Sequence, residues 1–342
     1  MKLLSIIIPS YNSERFIANC LDSLLIGLDE YLEVIVINDG SKDKTSEIAH
    51  EYASKYGFIK VIDKENGGHG SAFNKGLEIA TGLYFNILDS DDKLDKDGLI
   101  HLIDTIKKHV EEKRLPDLYL IDYRIVYENE GGVKNTIAFS KKATKVEDFI
   151  TFNEIKNLTN TDFIMIHMTY MKTSFLRENH FVLLEKVFYE DTELVFYLIK
   201  YANELYVIDK PIYLYTIGRD EQSISLESAN KNYLSYFKVV DKVFSSITYD
   251  EFKAMDKGRQ YNLIHELYLI LATLFFYAYM TPSKEKSLAY KEFQNKFKTN
   301  NKDLYKYLKY HTKCRLYYMV PPFLRPLSTK LGYKYARKKG IW

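Results

Sequence analysis

The sequence predicts an α/β fold in which a mostly parallel sheet is flanked by helices, followed by a smaller helical carboxyl-terminal region. In the first 125 residues, short apolar runs typical of strands alternate with segments whose apolar residues recur at helical spacing. Beyond Ser228 the pattern is helical and rich in tyrosine. This change predicts a boundary near residue 225 and two domains, residues 1–225 and residues 226–342.

The predicted strands are short and uniformly apolar, as expected of strands that are buried on both faces of a parallel sheet. The first runs from Leu3 to Ile8, and apolar residues at helical spacing follow from Phe16 to Leu28. The next elements are a strand at Leu32 to Ile37, a helix at Asp43 to Tyr56, a strand at Phe58 to Ile62, a helix at Gly68 to Ala80, a strand at Leu83 to Leu88 and a helix at Leu99 to Val110. The runs Leu118 to Tyr127 and Val133 to Phe139 flank a Gly-Gly turn and predict an antiparallel hairpin.

Composition argues against several classes of protein. Hydrophobic residues make up 46% of the 342 residues, enough for a sizeable core. The two cysteines, Cys20 and Cys314, are far apart and form no CxxC pair, so neither a disulfide framework nor a zinc site is expected. The longest uncharged apolar run, Leu267 to Met280, has 14 residues, whereas a spanning helix needs about 20. We interpret this run as a core helix. We expect a cytoplasmic protein, because the cysteine usage fits a reducing cytosol and no signal-peptide pattern is evident.

The net charge of +2 is unevenly distributed, because residues 301–342 hold 11 lysines and arginines against one acid, Asp303. Aromatic residues are interleaved with them, namely Tyr305, Tyr307, Tyr310, Tyr317, Tyr318, Phe323, Tyr333, Tyr335 and Trp342. This pattern predicts either peripheral docking on an anionic membrane surface or a helical oligomerisation or packing domain with a solvated basic face. A nucleic-acid partner is not expected, since no reader motif is present.

Polar residues follow each of the first four predicted strands. They are Pro9-Ser10-Tyr11-Asn12, Asn38-Asp39-Gly40-Ser41, Asn66-Gly67-Gly68-His69-Gly70 and Asp89-Ser90-Asp91-Asp92. Ligands of open parallel sheets bind outside the carboxyl ends of the strands, so a site is predicted at this edge. No GxGxxG follows the first strand and no GxxxxGK[ST] occurs, which argues against a dinucleotide site and a P-loop.

The acidic cluster Asp89, Asp91 and Asp92 places three carboxylates within four residues. They repel one another unless a cation neutralises them or water solvates them, and such hard oxygen ligands suit Mg²⁺ or Mn²⁺. The alternative is an exposed turn that caps the helix starting near Asp95. The glycine-rich stretch likewise predicts either a tight turn or a loop through which the backbone or His69 approaches a phosphate.

Five motifs, taken together, resemble the family 2 glycosyltransferases, whose donor domain has the GT-A fold. They are IIIPSYN (Ile6 to Asn12), VINDGSKDKT (Val36 to Thr45), ENGGHGSAFNKGLEIATG (Glu65 to Gly82), ILDSDD (Ile87 to Asp92) and YEDTELVFYL (Tyr189 to Leu198). The resemblance implies inverting, metal-dependent transfer of a sugar from a nucleotide-sugar, here a UDP-sugar, to a glycan or lipid-linked acceptor in bacterial surface-polysaccharide synthesis. The QxxRW motif and the membrane spans of polymer-extruding relatives are not found, so addition of one or a few sugars is expected.

The resemblance also implies a donor site. Its expected members are Pro9, Tyr11 and Asn12 around the base and ribose, Asp39 at the nucleobase, Asn74 facing the nucleotide-sugar, Asp89 at the ribose and Asp91 at the metal, either Mg²⁺ or Mn²⁺. Arg219 or Gln222, in a polar loop, would contact the diphosphate; the alternative is a plain surface loop.

Asp191, in Glu190-Asp191, matches the position of the family's general base, which takes the proton of the attacking acceptor hydroxyl. The alternative for this acidic pair is a solvated helix start, where acids favour the helix dipole. His167 is either a residue of the acceptor side or a core histidine. The competing function for the whole chain is a catalytically idle glycan-binding or scaffolding module with the same fold; a nucleotidyltransferase would need a glycine- and arginine-rich loop after the first strand, which is missing.

Overall fold

The computed structural model describes residues 1–127, 132–217 and 226–338. The chain divides into two compact units that alternate along the sequence. Unit 1 comprises Met1–Lys156, Ile164–Lys186 and Tyr201–Arg219, and unit 2 comprises Asn157–Phe163, Val187–Lys200 and Asp220–Trp342. The segment that carries Asp191 therefore groups with the helical region, and the predicted boundary at residue 225 stays a prediction.

Unit 1 is built on a mixed sheet of ten strands among the described residues. The strands are β1 (Leu4–Ser10), β2 (Leu32–Asn38), β3 (Ile59–Asp63), β4 (Tyr84–Ile87), β5 (Lys93–Leu94), β6 (Leu118–Tyr127), β7 (Gly132–Ile137), β8 (Phe149–Ile150), β9 (Thr169–Lys172) and β10 (Leu205–Ile217). Their order is β3-β2-β1-β4-β9-β6-β10-β5, with β7 paired to β6 and β8 to β10. The helices of this unit are α1 (Ile17–Asp22), α2 (Thr45–Lys55), α3 (His69–Ile79), α4 (Lys96–Glu111) and α5 (Thr173–Glu178).

The parallel half of the sheet agrees with the sequence prediction, and the predicted hairpin is confirmed. Strands β3, β2, β1 and β4 are parallel, and β6 pairs antiparallel with β7. The short strand β9 lies antiparallel between β4 and β6, which makes the sheet mixed. Four residues carry too little periodicity to predict such a strand.

Helix α1 and strand β1 differ in length from their predictions for identifiable reasons. The helix predicted from Phe16 ends at Asp22, where the Ser23 hydroxyl donates a hydrogen bond to the Cys20 carbonyl at 2.6 Å and Gly27 adopts a left-handed φ of 75°. Beyond the helix, Leu24 is buried and Leu25 and Leu28 are half-buried in irregular structure, and their spacing mimics helical periodicity. Strand β1 extends to Ser10, so Pro9 lies inside the strand and is buried.

Unit 2 is helical, as predicted beyond Ser228. Its helices are α6 (Asp191–Tyr201), α7 (Leu226–Ser245), α8 (Tyr249–Ala254), α9 (Lys257–Tyr279), α10 (Lys284–Asn300), α11 (Lys302–His311), α12 (Arg315–Met319) and α13 (Arg325–Lys338). Within the described ranges, only α9 is long and apolar enough to cross a membrane by length and composition, and 72% of its most apolar window is buried. This burial fits the core helix predicted from the run Leu267 to Met280.

Candidate functional site

The carboxyl ends of β1, β2 and β4 lie side by side in unit 1. Strands β1 and β2 pair in register as far as Ser10 and Asn38, and β1 pairs with β4 as far as Ile7 and Ile87. Because all three strands run in the same direction, the polar loops that follow them leave the sheet at one edge. The structure thus brings together the loops that the sequence singles out.

The loops after β1 and β2 are fastened to each other through Asn12. Its backbone N–H donates to the Ser41 hydroxyl at 3.0 Å, and its side-chain oxygen accepts from the Lys42 N–H at 2.9 Å. Asn12 has a left-handed φ of 51°, a conformation that asparagine tolerates better than most residues. Beside it, the Tyr11 side chain is 50% exposed and offers an aromatic face at the edge.

Asp39 holds the glycine-rich loop in place. Its Oδ1 accepts hydrogen bonds from the Gly67 N–H at 2.9 Å and the Lys64 ammonium at 2.7 Å, and its Oδ2 accepts from the Gly68 N–H at 2.8 Å. The carboxylate is buried, and Oδ2, which accepts a single hydrogen bond, has a second lone-pair direction for a further donor. Contact with a nucleobase stays a prediction, to which the structure adds this clamping role.

Glycine is required at this loop for two reasons. Gly68 has a φ of 83°, in the left-handed region, and a side chain on Gly67 would place its Cβ 2.5 Å from the Ser71 hydroxyl. The tight loop leads directly into α3, which begins at His69.

Asn74, on α3, joins the edge to a second segment of unit 1. Its amide donates to the Leu183 carbonyl at 3.0 Å and to Glu185 Oε1 at 3.2 Å, and its oxygen accepts from the Leu183 N–H at 2.9 Å. The Lys186 N–H also donates to the Gly67 carbonyl at 2.7 Å. Asn74 therefore acts as a positioning residue here, and its predicted contact with a donor stays a prediction.

The acidic turn after β4 contains one buried carboxylate, Asp92, and two half-buried ones, Asp89 and Asp91. Asp92 is 1% exposed and accepts from the Tyr213 hydroxyl at 2.8 Å and from the Thr216 N–H at 2.7 Å. Burial, together with the charges of Asp89 and Asp91, holds the pKa of Asp92 well above its usual range. The helix after the turn is capped by Asp95, which accepts from the Gly98 N–H at 2.9 Å, so the cluster itself is not needed as the cap.

Asp89 and Asp91 are both half-buried at the edge. Asp89 Oδ1 lies 3.3 Å from His69 Nε2, so the turn after β4 contacts the glycine-rich loop. Burial raises the pKa of Asp89, but the hydrogen bond from His69 and the electrostatic attraction to it outweigh burial and leave that pKa below its usual range. The Ser90 hydroxyl lies 2.6 Å from that of Ser13, which joins the turn to the loop after β1.

His167 is buried at 4% exposure, in contact with the rings of Tyr123, Tyr213 and Tyr215 at centroid distances of 4.5 to 5.2 Å. Burial lowers its pKa to about 4, so the ring is neutral at physiological pH. Its Nε2 has no hydrogen-bond partner among the described residues. These surroundings are those of a core histidine.

The carboxylates at the sheet edge fit a metal ion whose remaining ligands come from the substrate and from water. The described residues contain no group of three or more His, Cys, Asp or Glu side chains able to hold an ion by themselves. Mg²⁺ and its analogues, however, usually bind through one or two carboxylates plus substrate phosphates and water. Asp91, with Asp89 beside it, supplies ligands of that kind at the sheet edge.

Asp191 is the first residue of α6, in unit 2, and its Oδ1 accepts from the Thr192 N–H at 2.9 Å. The other acid of the first turn, Glu193, is fully buried and forms an ion pair with Lys242. The helix-start interpretation therefore holds for the local geometry, and it does not conflict with a catalytic role.

Sequence analysis missed Glu266, on α9, which lies in the electrostatic field of Asp191. The residue is 8% exposed. Burial, with a further contribution from the charge of Asp191, raises the pKa of Glu266 to about 8. Three tyrosines of the same unit pack against one another with ring centroids 5.1 to 5.6 Å apart, namely Tyr189, Tyr236 and Tyr277. The available signal was an acid immediately before the apolar run Leu267 to Met280.

Replacing Glu266 with Gln should make the protein more stable at pH 8 and leave its stability unchanged near pH 4.5. The folded state binds the Glu266 proton up to about pH 8, whereas the unfolded state releases it near 4.5, so wild-type stability falls as pH rises between these values. At about 1.4 kcal/mol per pH unit, the gain in the free energy of unfolding at pH 8 is at most about 5 kcal/mol. Thermal unfolding across this pH range checks it, with the exposed Glu292→Gln as control. An equal pH slope in wild type and Glu266→Gln would contradict the assignment.

Arg219 and Gln222 lie outside the described residues, so their predicted contact with the diphosphate stays a prediction.

Unit 1 has the GT-A type of fold that the sequence predicts, and the comparisons with known proteins agree. Residues 5–166 match the model of the family described as Glycosyl transferase family 2. That segment is therefore similar to the family 2 glycosyltransferases, as its motifs predict.

Two curated relatives and one solved structure illustrate the likeness. The uncharacterized glycosyltransferase EpsJ of Bacillus subtilis is 30% identical over 215 residues, which cover 62% of this chain and 60% of EpsJ. The glycosyltransferase GlyG of Streptococcus pneumoniae is 27% identical over 222 residues, 63% of this chain and 70% of GlyG. Residues 1–349 of S. aureus TarS share the fold at a TM-score of 0.65 and 22% identity, covering 100% of this chain and 88% of that one. The fold likeness includes the helical region, where no motif was recognised.

Proposed function

We propose that this protein is an inverting, metal-dependent glycosyltransferase that moves a sugar from a UDP-sugar to a glycan or lipid-linked acceptor in the synthesis of a bacterial surface polysaccharide, on the cytoplasmic side of the membrane. The observation that carries the proposal is the interlocked set of loops at the carboxyl edge of the sheet, with Tyr11, Asp89 and Asp91 partly exposed there. Support comes from the fold neighbour TarS, which has been crystallised with UDP-GlcNAc and with UDP.

In this proposal, Pro9, Tyr11 and Asn12 border the base and ribose. The half-exposed ring of Tyr11 offers a stacking surface, and Asn12 fixes the spacing between the loops after β1 and β2. Asp39 accepts a hydrogen bond from the uracil N–H. Because Lys64 and two backbone N–H groups already orient this carboxylate, little ordering entropy is lost when the base binds.

Asp89 contacts the ribose, Asn74 supports the wall that faces the nucleotide-sugar, and Arg219 contacts the diphosphate. Asp91 would hold Mg²⁺ or Mn²⁺ against the diphosphate oxygens; when bound, the ion stabilises the negative charge that the departing nucleoside diphosphate gains. The anchored Asp92 keeps the turn in shape through its hydrogen bonds with Tyr213 and Thr216.

Asp191 acts as the general base, taking the proton of the acceptor hydroxyl as that oxygen attacks the anomeric carbon. A single displacement of this kind inverts the anomeric centre, and no second carboxylate is needed as a nucleophile.

A donor panel tests the proposal. Release of nucleoside diphosphate is measured for UDP-, GDP-, ADP- and dTDP-sugars with Mg²⁺ or Mn²⁺, and with a chelator. We expect turnover with at least one UDP-sugar, lost on chelation. Tight UDP binding without turnover of any donor, even with a panel of glycan and lipid-linked acceptors, would instead favour the idle glycan-binding module.

A further inference from the structure

An apolar surface is exposed at the carboxyl-terminal end of unit 2. Met319, Phe323, Leu327 and Leu331 are 68%, 80%, 56% and 58% exposed. The last three are spaced four residues apart; Leu327 and Leu331 therefore lie on one face of α13, and Phe323 lies in the short turn just before the helix. Large apolar side chains grouped in this way on a surface are typical of an interaction site.

The orientation of α13 is fixed by its opposite face. Arg325 donates to the Tyr279 hydroxyl at 2.9 Å, Thr329 is 7% exposed, and the ring of Tyr333 lies 5.7 Å from that of Phe276. These contacts anchor the helix on α9. The exposed leucines therefore point away from the core of the unit.

Two lysines flank the apolar residues. Lys330 and Lys334 are exposed, and their helical positions fall within about 60° of Leu327 at 100° per residue. A lysine at such a position can cover apolar surface with its methylene stem while its ammonium group stays in water or reaches a lipid phosphate. We call Met319, Phe323, Leu327, Lys330, Leu331 and Lys334 the α13 patch.

Most of the tail aromatics expected at a membrane are instead packed in the structure. The ring of Tyr305 lies 5.2 Å from that of Tyr318, Tyr307 lies 5.4 Å from Phe252, and Tyr317 lies 5.4 Å from Phe275. The contacts of these rings are those of a helical packing domain, the alternative to membrane docking for this part of the chain. Around α13, the surface available to a partner consists of aliphatic residues, Phe323 and lysines, whereas Tyr310, on α11, is 61% exposed.

We propose that the α13 patch inserts into the headgroup region of an anionic membrane. The charge of residues 301–342, which carry 11 basic residues and one acid, favours anionic lipid over a second copy of the chain as the partner of this surface. Two such segments repel each other, whereas anionic lipid attracts them. Apolar insertion combined with basic side chains is the pattern of interfacial helices. This docking does not depend on the proposed catalytic function.

Flotation of the full chain with vesicles tests the docking surface. Vesicles of phosphatidylcholine alone are compared with vesicles that also contain phosphatidylglycerol, at low and high salt. We expect binding to the anionic vesicles, weakened by salt. The variant Phe323→Ser/Leu327→Ser/Leu331→Ser should lose binding by more than tenfold, since each buried apolar side chain contributes at least a factor of about ten. Lys330→Gln/Lys334→Gln should weaken it about fivefold per lysine.

Matched controls lie elsewhere in unit 2. Leu234 and Leu288 are 47% and 52% exposed, and their double serine variant should bind vesicles like wild type. The exposed lysines of Lys291→Gln/Lys298→Gln control for the loss of charge. Equal binding by patch and control variants overturns the proposal. So does a dimer, measured by sedimentation, that dissociates in the triple serine variant, because a second copy would then be the occupant.

Discussion

The Asp191→Asn variant is expected to lose about 10²- to 10⁴-fold in kcat, the usual contribution of a general base, while its affinity for the donor stays nearly unchanged. Asparagine has the size of aspartate and can still accept the Thr192 N–H, which bonds Asp191 at 2.9 Å, so α6 should begin as in wild type. It cannot take up a proton at neutral pH. Steady-state kinetics combined with calorimetric titration of the donor separates the chemical step from binding.

The control for this prediction is Glu193→Gln on the same helical turn. Glu193 is buried and paired with Lys242, so its loss should lower stability without removing a proton acceptor. If Asp191→Asn keeps kcat within a factor of a few, or if both variants lose it equally, the base lies elsewhere.

The second large effect is expected for Asp91→Ala, which should lose at least about 10³-fold in metal-dependent turnover. A metal ion at a leaving group contributes several kcal/mol of charge stabilisation, and each 1.4 kcal/mol corresponds to a factor of ten. The fold should persist, because Asp92 rather than Asp91 ties the acidic turn to Tyr213 and Thr216. Stabilisation of the protein by Mn²⁺ in the presence of UDP gives a readout that does not require turnover.

Asp92→Asn is the matched variant within the same turn. It alters a buried hydrogen-bonded carboxyl, so it should change the melting temperature and retain the response to Mn²⁺. Full activity of Asp91→Ala with a chelator present would remove the metal assignment. If Asp92→Asn lost the Mn²⁺ response and Asp91→Ala kept it, the metal would have to be assigned to Asp92 instead of Asp91.

The sequence predicts the frame of the site because that information is local. Apolar runs locate the parallel strands, and parallel strands place the loops at one edge. It cannot predict that Asp39 clamps Gly67 and Gly68, or that Asn74 binds Leu183 across more than a hundred residues of sequence, because hydrogen bonds between distant segments leave no periodic pattern.

The helical region shows the same division. Periodicity predicts its helices, but it does not distinguish a packed tyrosine such as Tyr317 from an exposed Phe323, since both sit among basic residues. In the sequence, Glu266 is likewise a single charged residue before an apolar run, and its pKa is raised only because the folded chain buries it. What a side chain faces is decided by tertiary packing, which local sequence does not encode.

The most direct test of the central claim is a crystal structure of the protein with UDP and Mn²⁺. The claim predicts uracil against Tyr11 and Asp39, and Mn²⁺ on Asp91 with the diphosphate. UDP bound elsewhere would contradict it.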